Sequence, residues 1–151
     1  MNARVNQKLY FAKLVLDLAH ESEDGKKTAL LEAALFHLVN AYRNYLLEII
    51  DDRQIVFAES ATSAVQQQQQ LGLESKPELQ ELFQLEHSGA WSANMLAAYG
   101  NCISAVVPIR PHSIGIALAD VTLNADQDNC QSWLDQFQQL LVRQRDHAHE
   151  W

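Results

Sequence analysis

The stretch from Lys26 to Asp52, KKTALLEAALFHLVNAYRNYLLEIIDD, decides how the rest of the chain is read. Stepping 100° per residue around a helix places Leu30, Ala41, Ala34, Tyr45, Leu38, Leu31, Ile49, Tyr42, Leu35, Leu46 and Val39 on one continuous arc, which Phe36 and Leu47 widen to roughly 260°. So wide an apolar circumference predicts a helix surrounded by neighbours. Only His37, Asn40, Asn44 and Asp51, with the small Ala33 among them, make a narrow polar wedge.

The flanking sequence supplies the neighbours. On the N-terminal side, Val5, Leu9, Ala12, Leu16 and Ala19 recur at alternating steps of four and three, and Phe11, Leu14 and Leu18 form a second adjacent row, which predicts a helix from about Ala3 to Glu21. The connection ESEDGKK is short and offers Asp24 or Thr28 as a cap, so the first two helices are expected to form a tight antiparallel hairpin. On the C-terminal side, RQIVFAES reads as a helix end and connection. A third helix follows from Ser60 or Thr62 through Val65 to Leu71, stopped by Gly72, with Gln66 to Gln70 as a solvated surface. Ser75, Lys76, Pro77 and Glu78 form a capping box for a fourth helix that buries Leu79, Leu82, Phe83 and Leu85 before His87, Ser88 and Gly89 break it. A short fifth helix, Ala90 to Tyr99, presents Trp91, Met95, Ala98 and Tyr99 and ends at Gly100.

From Asn101 to Asn124, β-branched residues and two prolines predict an irregular crossover with a short hairpin or a helical turn, serving as a packed strap or a functional loop. The last helix is expected to start near Asp126 or Asp128 and to run to about Arg145, with Cys130, Trp133, Leu134, Phe137, Leu140 and Leu141 inward. The fold class is therefore all-α: a five- or six-helix up-down bundle around the long second helix, in a single domain over residues 1–151.

Composition agrees. The chain has 151 residues, 48% of them hydrophobic, with five Gly and three Pro, and that length allows roughly 70% of the unfolded surface to be buried without metal or disulfide. A net charge of −8 opposes association with nucleic acid or anionic lipid. Cys102 and Cys130 lack CxxC spacing and read as small buried hydrophobes in a reducing compartment. Lys8, Lys13 and Asp17 interrupt the apolar N-terminal residues, and no run approaches ~18 uninterrupted apolar residues, so a cytoplasmic protein without membrane spans is expected.

Few residues suggest chemistry. Glu32 and Arg43 point almost the same way from the second helix, inside its apolar arc and about 16 Å apart along the axis, so each is expected to need a separate partner or ligand. His37, Asn40 and Asn44 stand at one-turn spacing, as a solvent-facing strip or the lining of a ligand site. His147 and His149 project in nearly opposite directions on a helix, Glu86 and His87 are adjacent, and neither Glu-x-x-His nor His-x-x-x-His occurs. The chain thus departs from the metal set of a DinB-like bundle, and no metal or other cofactor is expected. Arg143 and His149, with five residues between them, resemble the Arg and His of HEPN-like ribonucleases, where the pair would stabilise phosphate charge and assist proton transfer. No GxGxxG, Walker, GxSxG or HExxH pattern is present.

The segments NQKLYFAKLVLDLA, LLEAALFHLVNAYRNYLLEI, KPELQELFQLE and QRDHAHEW together resemble a family of small bacterial proteins of unknown function across nearly the whole chain. That resemblance implies a cytoplasmic helical domain and assigns no activity. The reading that combines these features is a non-catalytic interaction or oligomerisation module, a homodimer or the partner of another protein. Its alternatives are a ribonuclease using Arg143 and His149, or a metal-binding bundle.

Overall fold

The computed structural model describes residues 3–49, 63–66, 76–103 and 124–149. Among the described residues five helices carry the fold: α1 (Ala3–His20), α2 (Asp24–Ile49), α3 (Pro77–His87), α4 (Trp91–Ile103) and α5 (Gln127–His149). Among the described residues there is no strand.

The long apolar stretch is the centre of the bundle, since α2 packs against each of the other four helices. Its buried side chains are Leu31, Ala34, Leu35, Leu38, Val39, Ala41, Tyr42, Tyr45, Leu46 and Ile49. The first two helices form the expected hairpin. Ser22 closes α1 by donating its N–H to Ala19 O (3.1 Å) and its hydroxyl to Leu18 O (2.8 Å). Asp24 then turns the chain at a φ of 52°, a left-handed conformation in which a short polar side chain is one of the few tolerated. Thr28 does not cap α2, because its hydroxyl donates to Asp24 O (3.3 Å).

The core-facing row of α1 is the one read from the sequence, Val5, Leu9, Ala12, Leu16 and Ala19. The second row departs from expectation: Phe11 is only half-buried, and Leu14 and Leu18 face solvent. In α3, Leu79 and Leu82 are buried while Phe83 and Leu85 lie at the edge of the core. Its N-cap is Lys76, without a side-chain cap, and the expected capping box rests on Ser75, which lies outside the described residues.

Gly89 ends this segment at a φ of 76°. The Ala90 N–H reaches back to Leu85 O (3.0 Å) and the Gly89 N–H to Glu86 O (3.2 Å), satisfying carbonyls that the helix end leaves open.

Gly100 does not stop α4, which runs on to Ile103. The first residues of the expected crossover are therefore helical, and Cys102 is exposed rather than buried. Glycine costs a helix only about 1 kcal/mol, which the buried Trp91, Met95 and Ala98 offset. The rest of that crossover lies outside the described residues. So does the expected third helix apart from a helical turn over 64–66, where Ser63 Oγ accepts from the Gln66 N–H (3.1 Å).

Asp126 caps α5, accepting from the Asn129 N–H (2.7 Å). Cys130, Trp133, Leu134, Phe137, Leu140 and Leu141 all face inward as expected. Phe137 joins the layers, its ring lying 5.7 Å from Tyr42, 6.1 Å from Tyr45 and 5.6 Å from Trp91. Relative to α1, α5 runs antiparallel: the Gln127 amide donates to Leu16 O (3.2 Å) at one end, and Arg145 to Asn6 Oδ1 (3.1 Å) at the other.

Candidate functional site

Two tyrosines on α2 bring hydroxyl groups into the core, and a buried hydroxyl needs a partner. Tyr42 donates to the Glu86 carboxylate of α3. The same carboxylate accepts from the N–H groups of Ala64 (2.7 Å) and Val65 (3.2 Å), so Glu86 fastens the 64–66 turn to α2 and α3. Burial raises the Tyr42 phenol well above its ordinary pKa, and the Glu86 carboxylate adds to the effect. One turn further along, Tyr45 donates to Gln144 Oε1 (2.5 Å), and the Gln144 amide donates to Glu81 Oε1 (2.8 Å) and Glu78 O (3.3 Å). Burial, and after it the charge of Glu48, raises the Tyr45 phenol as well. The first constellation holds α2, α3 and the 64–66 turn together and the second α2, α3 and α5, so each ties its central polar group to more than one element. Sequence reasoning missed them. The available signals were the tyrosines inside an apolar arc and Gln144 in the inward register of Phe137 and Leu141.

Glu32 and Arg43, eleven positions apart on α2, are not brought together. Glu32 is exposed, so its place inside the apolar arc of α2 creates no need for a partner; the nearest consequence is a small upward push, after burial, on the Cys102 thiol. Arg43 is half-buried. Among the described residues neither makes an ion pair. In the polar wedge, the Asn40 amide donates to Phe36 O (2.9 Å) and the Asn44 amide to Asn40 O (2.7 Å), so both bond back to their own helix. His37 packs edge-on against Phe11 at 5.5 Å, and its Nδ1 is buried without a hydrogen-bond partner among the described residues. Burial, then the charge of Lys8, lowers its pKa below the ordinary value.

On α5, Arg143 grips Glu81 with two contacts, Nη1 to Oε1 (2.8 Å) and Nη2 to Oε2 (2.6 Å). His149 stands six positions on, about 9 Å along the axis. Cys130 is buried and its thiol is pushed up to about 12, chiefly by desolvation, which leaves it unreactive near neutral pH. Among the described residues no three His, Cys, Asp or Glu side chains gather as a metal set, and no helix is long and apolar enough to cross a membrane.

The accessible features include the outer side of α1 and its seam with α5. A surface groove of about 540 Å³ runs between α1 and α5, with Leu9, Tyr10, Leu141 and Val142 along its length, Lys13 and Gln138 at one end, and Asn6 and Arg145 at the other. Arg145 is anchored there by Glu48 (3.4 Å) and lies over the Tyr45 ring. Beside the groove, Tyr10, Leu14 and Leu18 are 58%, 42% and 56% exposed, and Val142 at its rim is 62% exposed.

The architecture defines a member of the all-α helical-bundle class whose internal polar groups fasten helices to one another. The chain belongs to a family described as "Family of unknown function (DUF6586)", whose model matches residues 1–151. No curated protein and no solved structure matches it.

Proposed function

We propose that this chain is a non-catalytic interaction module that works as a cytoplasmic homodimer. The observation that carries the reading is the exposed apolar row Tyr10, Leu14 and Leu18 on α1. The central helix, whose wide apolar arc first suggested a second copy, is covered by its own chain: among its described residues Phe36 is the one large apolar side chain left exposed. Apolar surface free for a partner has therefore moved from α2 to α1.

The interior polar groups support the same reading. Tyr42, Glu86, Tyr45, Gln144 and Glu81 are engaged with one another or with backbone, and Arg143 is neutralised by Glu81. A group held in this way positions helices and is not itself poised as an acid, base or nucleophile. The charged Lys8, Lys13 and Asp17 within α1 fit a domain that stays in the cytoplasm.

Size-exclusion chromatography with light scattering tests the assembly. The expected mass is twice the 17.1 kDa of the chain. A mass of one chain at every concentration up to the millimolar range overturns the homodimer.

A further inference from the structure

We infer that the second copy docks on the outward face of α1, in an antiparallel helix pair centred on Leu14. This rests on the homodimer reading and names its surface.

An ordinary bundle helix has one apolar stripe; α1 has two. Its buried row, Val5, Leu9, Ala12, Leu16 and Ala19, faces the core. Stepping 100° per residue places Leu14 at about 180° from the middle of that row, with Tyr10 and Leu18 about 40° to either side of it, so the row as a whole faces away from the core. An apolar row on the far side of a surface helix does nothing for the fold of its own chain, and contiguous exposed apolar surface marks a contact site.

The pattern is symmetric about Leu14, which is why the occupant is a second copy of this chain. In an antiparallel pair related by a two-fold axis through Leu14, a residue n positions before Leu14 faces the residue n positions after it in the other copy. Leu14 then meets Leu14 of the second copy, and Tyr10 meets Leu18. Seven positions out, Gln7 meets Glu21; both are polar and exposed, so the apolar contact ends in a wet rim.

Charge agrees as well. Lys13 and Asp17 lie on one flank of the stripe, at about −100° and −60° from Leu14. The two-fold axis keeps that flank on the same side in both copies, so Lys13 of each copy lies about 3 Å along the axis from Asp17 of the other, which is turned about 40° closer to the contact, and at the same offset from the other Lys13, which is turned away from it. Both are exposed, and among the described residues neither is in an ion pair. Two reciprocal ion pairs thus border the apolar row. A helix of 18 residues, about 27 Å long, gives the pair length, and Val142 at the rim of the adjoining groove extends the apolar surface onto α5.

The test uses the full chain. Leu14→Glu, at a position already open to solvent, is expected to keep the helical circular dichroism of the wild type and to weaken dimerisation at least about 100-fold, because it would bury two like charges at the axis. Asp17→Lys is expected to weaken it about tenfold, and Lys13→Glu combined with Asp17→Lys to restore it, since the reciprocal pairs re-form with sign exchanged. In a Cys102→Ser background, Leu14→Cys is expected to give a disulfide-linked dimer on mild oxidation, whereas Gln131→Cys on α5 gives none. A wild-type dimer that survives Leu14→Glu and is not cross-linked through Leu14→Cys overturns this interface and leaves the homodimer standing. A wild-type monomer overturns both.

Discussion

Tyr42 shows what single side chains do in this core. Its hydroxyl and the two N–H groups of the 64–66 turn converge on one Glu86 carboxylate, so removing Glu86 takes the acceptor from three donors, whereas removing the Tyr42 hydroxyl leaves the carboxylate its two N–H groups. Glu86→Ala is expected to cost about 1–3 kcal/mol or more in urea unfolding, and Tyr42→Phe, which keeps the ring, about 1 kcal/mol. The same tyrosine predicts an alkaline limit. Its pKa is raised in the folded state, so the unfolded chain releases its proton first; the associated stability is intact below about pH 10 and is lost as pH rises towards the folded value. Denaturant midpoints followed from pH 8 upward are expected to fall beyond pH 10, less steeply in Tyr42→Phe. His37 acts at the other end of the scale. Its lowered folded pKa means that the unfolded chain binds the proton more readily, so stability falls as pH drops through about 6.5. His37→Gln is expected to flatten that part of the profile. The exposure of Glu32 is not legible in the sequence, because angular position on α2 says which residues share a face, but not how far neighbouring helices extend over it.

At the scale of elements, the helix positions and inward faces were legible because a 3.6-residue period is imposed by the core itself. The buried rows of α1 and α5 coincide with those read from sequence. The end of α4 was not legible, since Gly100 is compatible with a stop and with a penalty that packing overcomes. Gly89 is different. A side chain added there would meet nothing within 4 Å, so any cost comes from its φ of 76°. Gly89→Ala is expected to lower stability by about 1 kcal/mol and Gly89→Asn by less, measured by thermal or urea unfolding. The α3 to α5 contact offers a second comparison. Arg143 is 54% exposed, so Arg143→Ala is expected to cost less than about 1 kcal/mol despite its close ion pair. Gln144 is 4% exposed and bonds Tyr45, Glu81 and Glu78, so Gln144→Leu is expected to cost about 1–3 kcal/mol.

For the whole molecule, the sequence fits a bundle with a long middle helix, and that is the arrangement found. What stayed hidden was which apolar face remains free. The core row of α1 is legible from its period, but only the packing of α2 and α5 shows that Leu14 and Leu18, also apolar, face outward. If the outward row joins two copies, folding and association are linked, and the melting temperature is expected to rise with protein concentration. Calorimetry across a hundredfold concentration range checks this, with Leu14→Glu expected to show no such dependence.

The antiparallel seam between α1 and α5 also bears on the order in which the chain can fold during synthesis. The α1–α2 hairpin needs only local contacts and can form as soon as it leaves the ribosome. The seam that Gln127 makes with Leu16, and Arg145 with Asn6, joins residues separated by 111 and 139 positions. Closure of the bundle therefore waits for the last helix to be made, and until then the flank of α1 that α5 covers is open to chaperones.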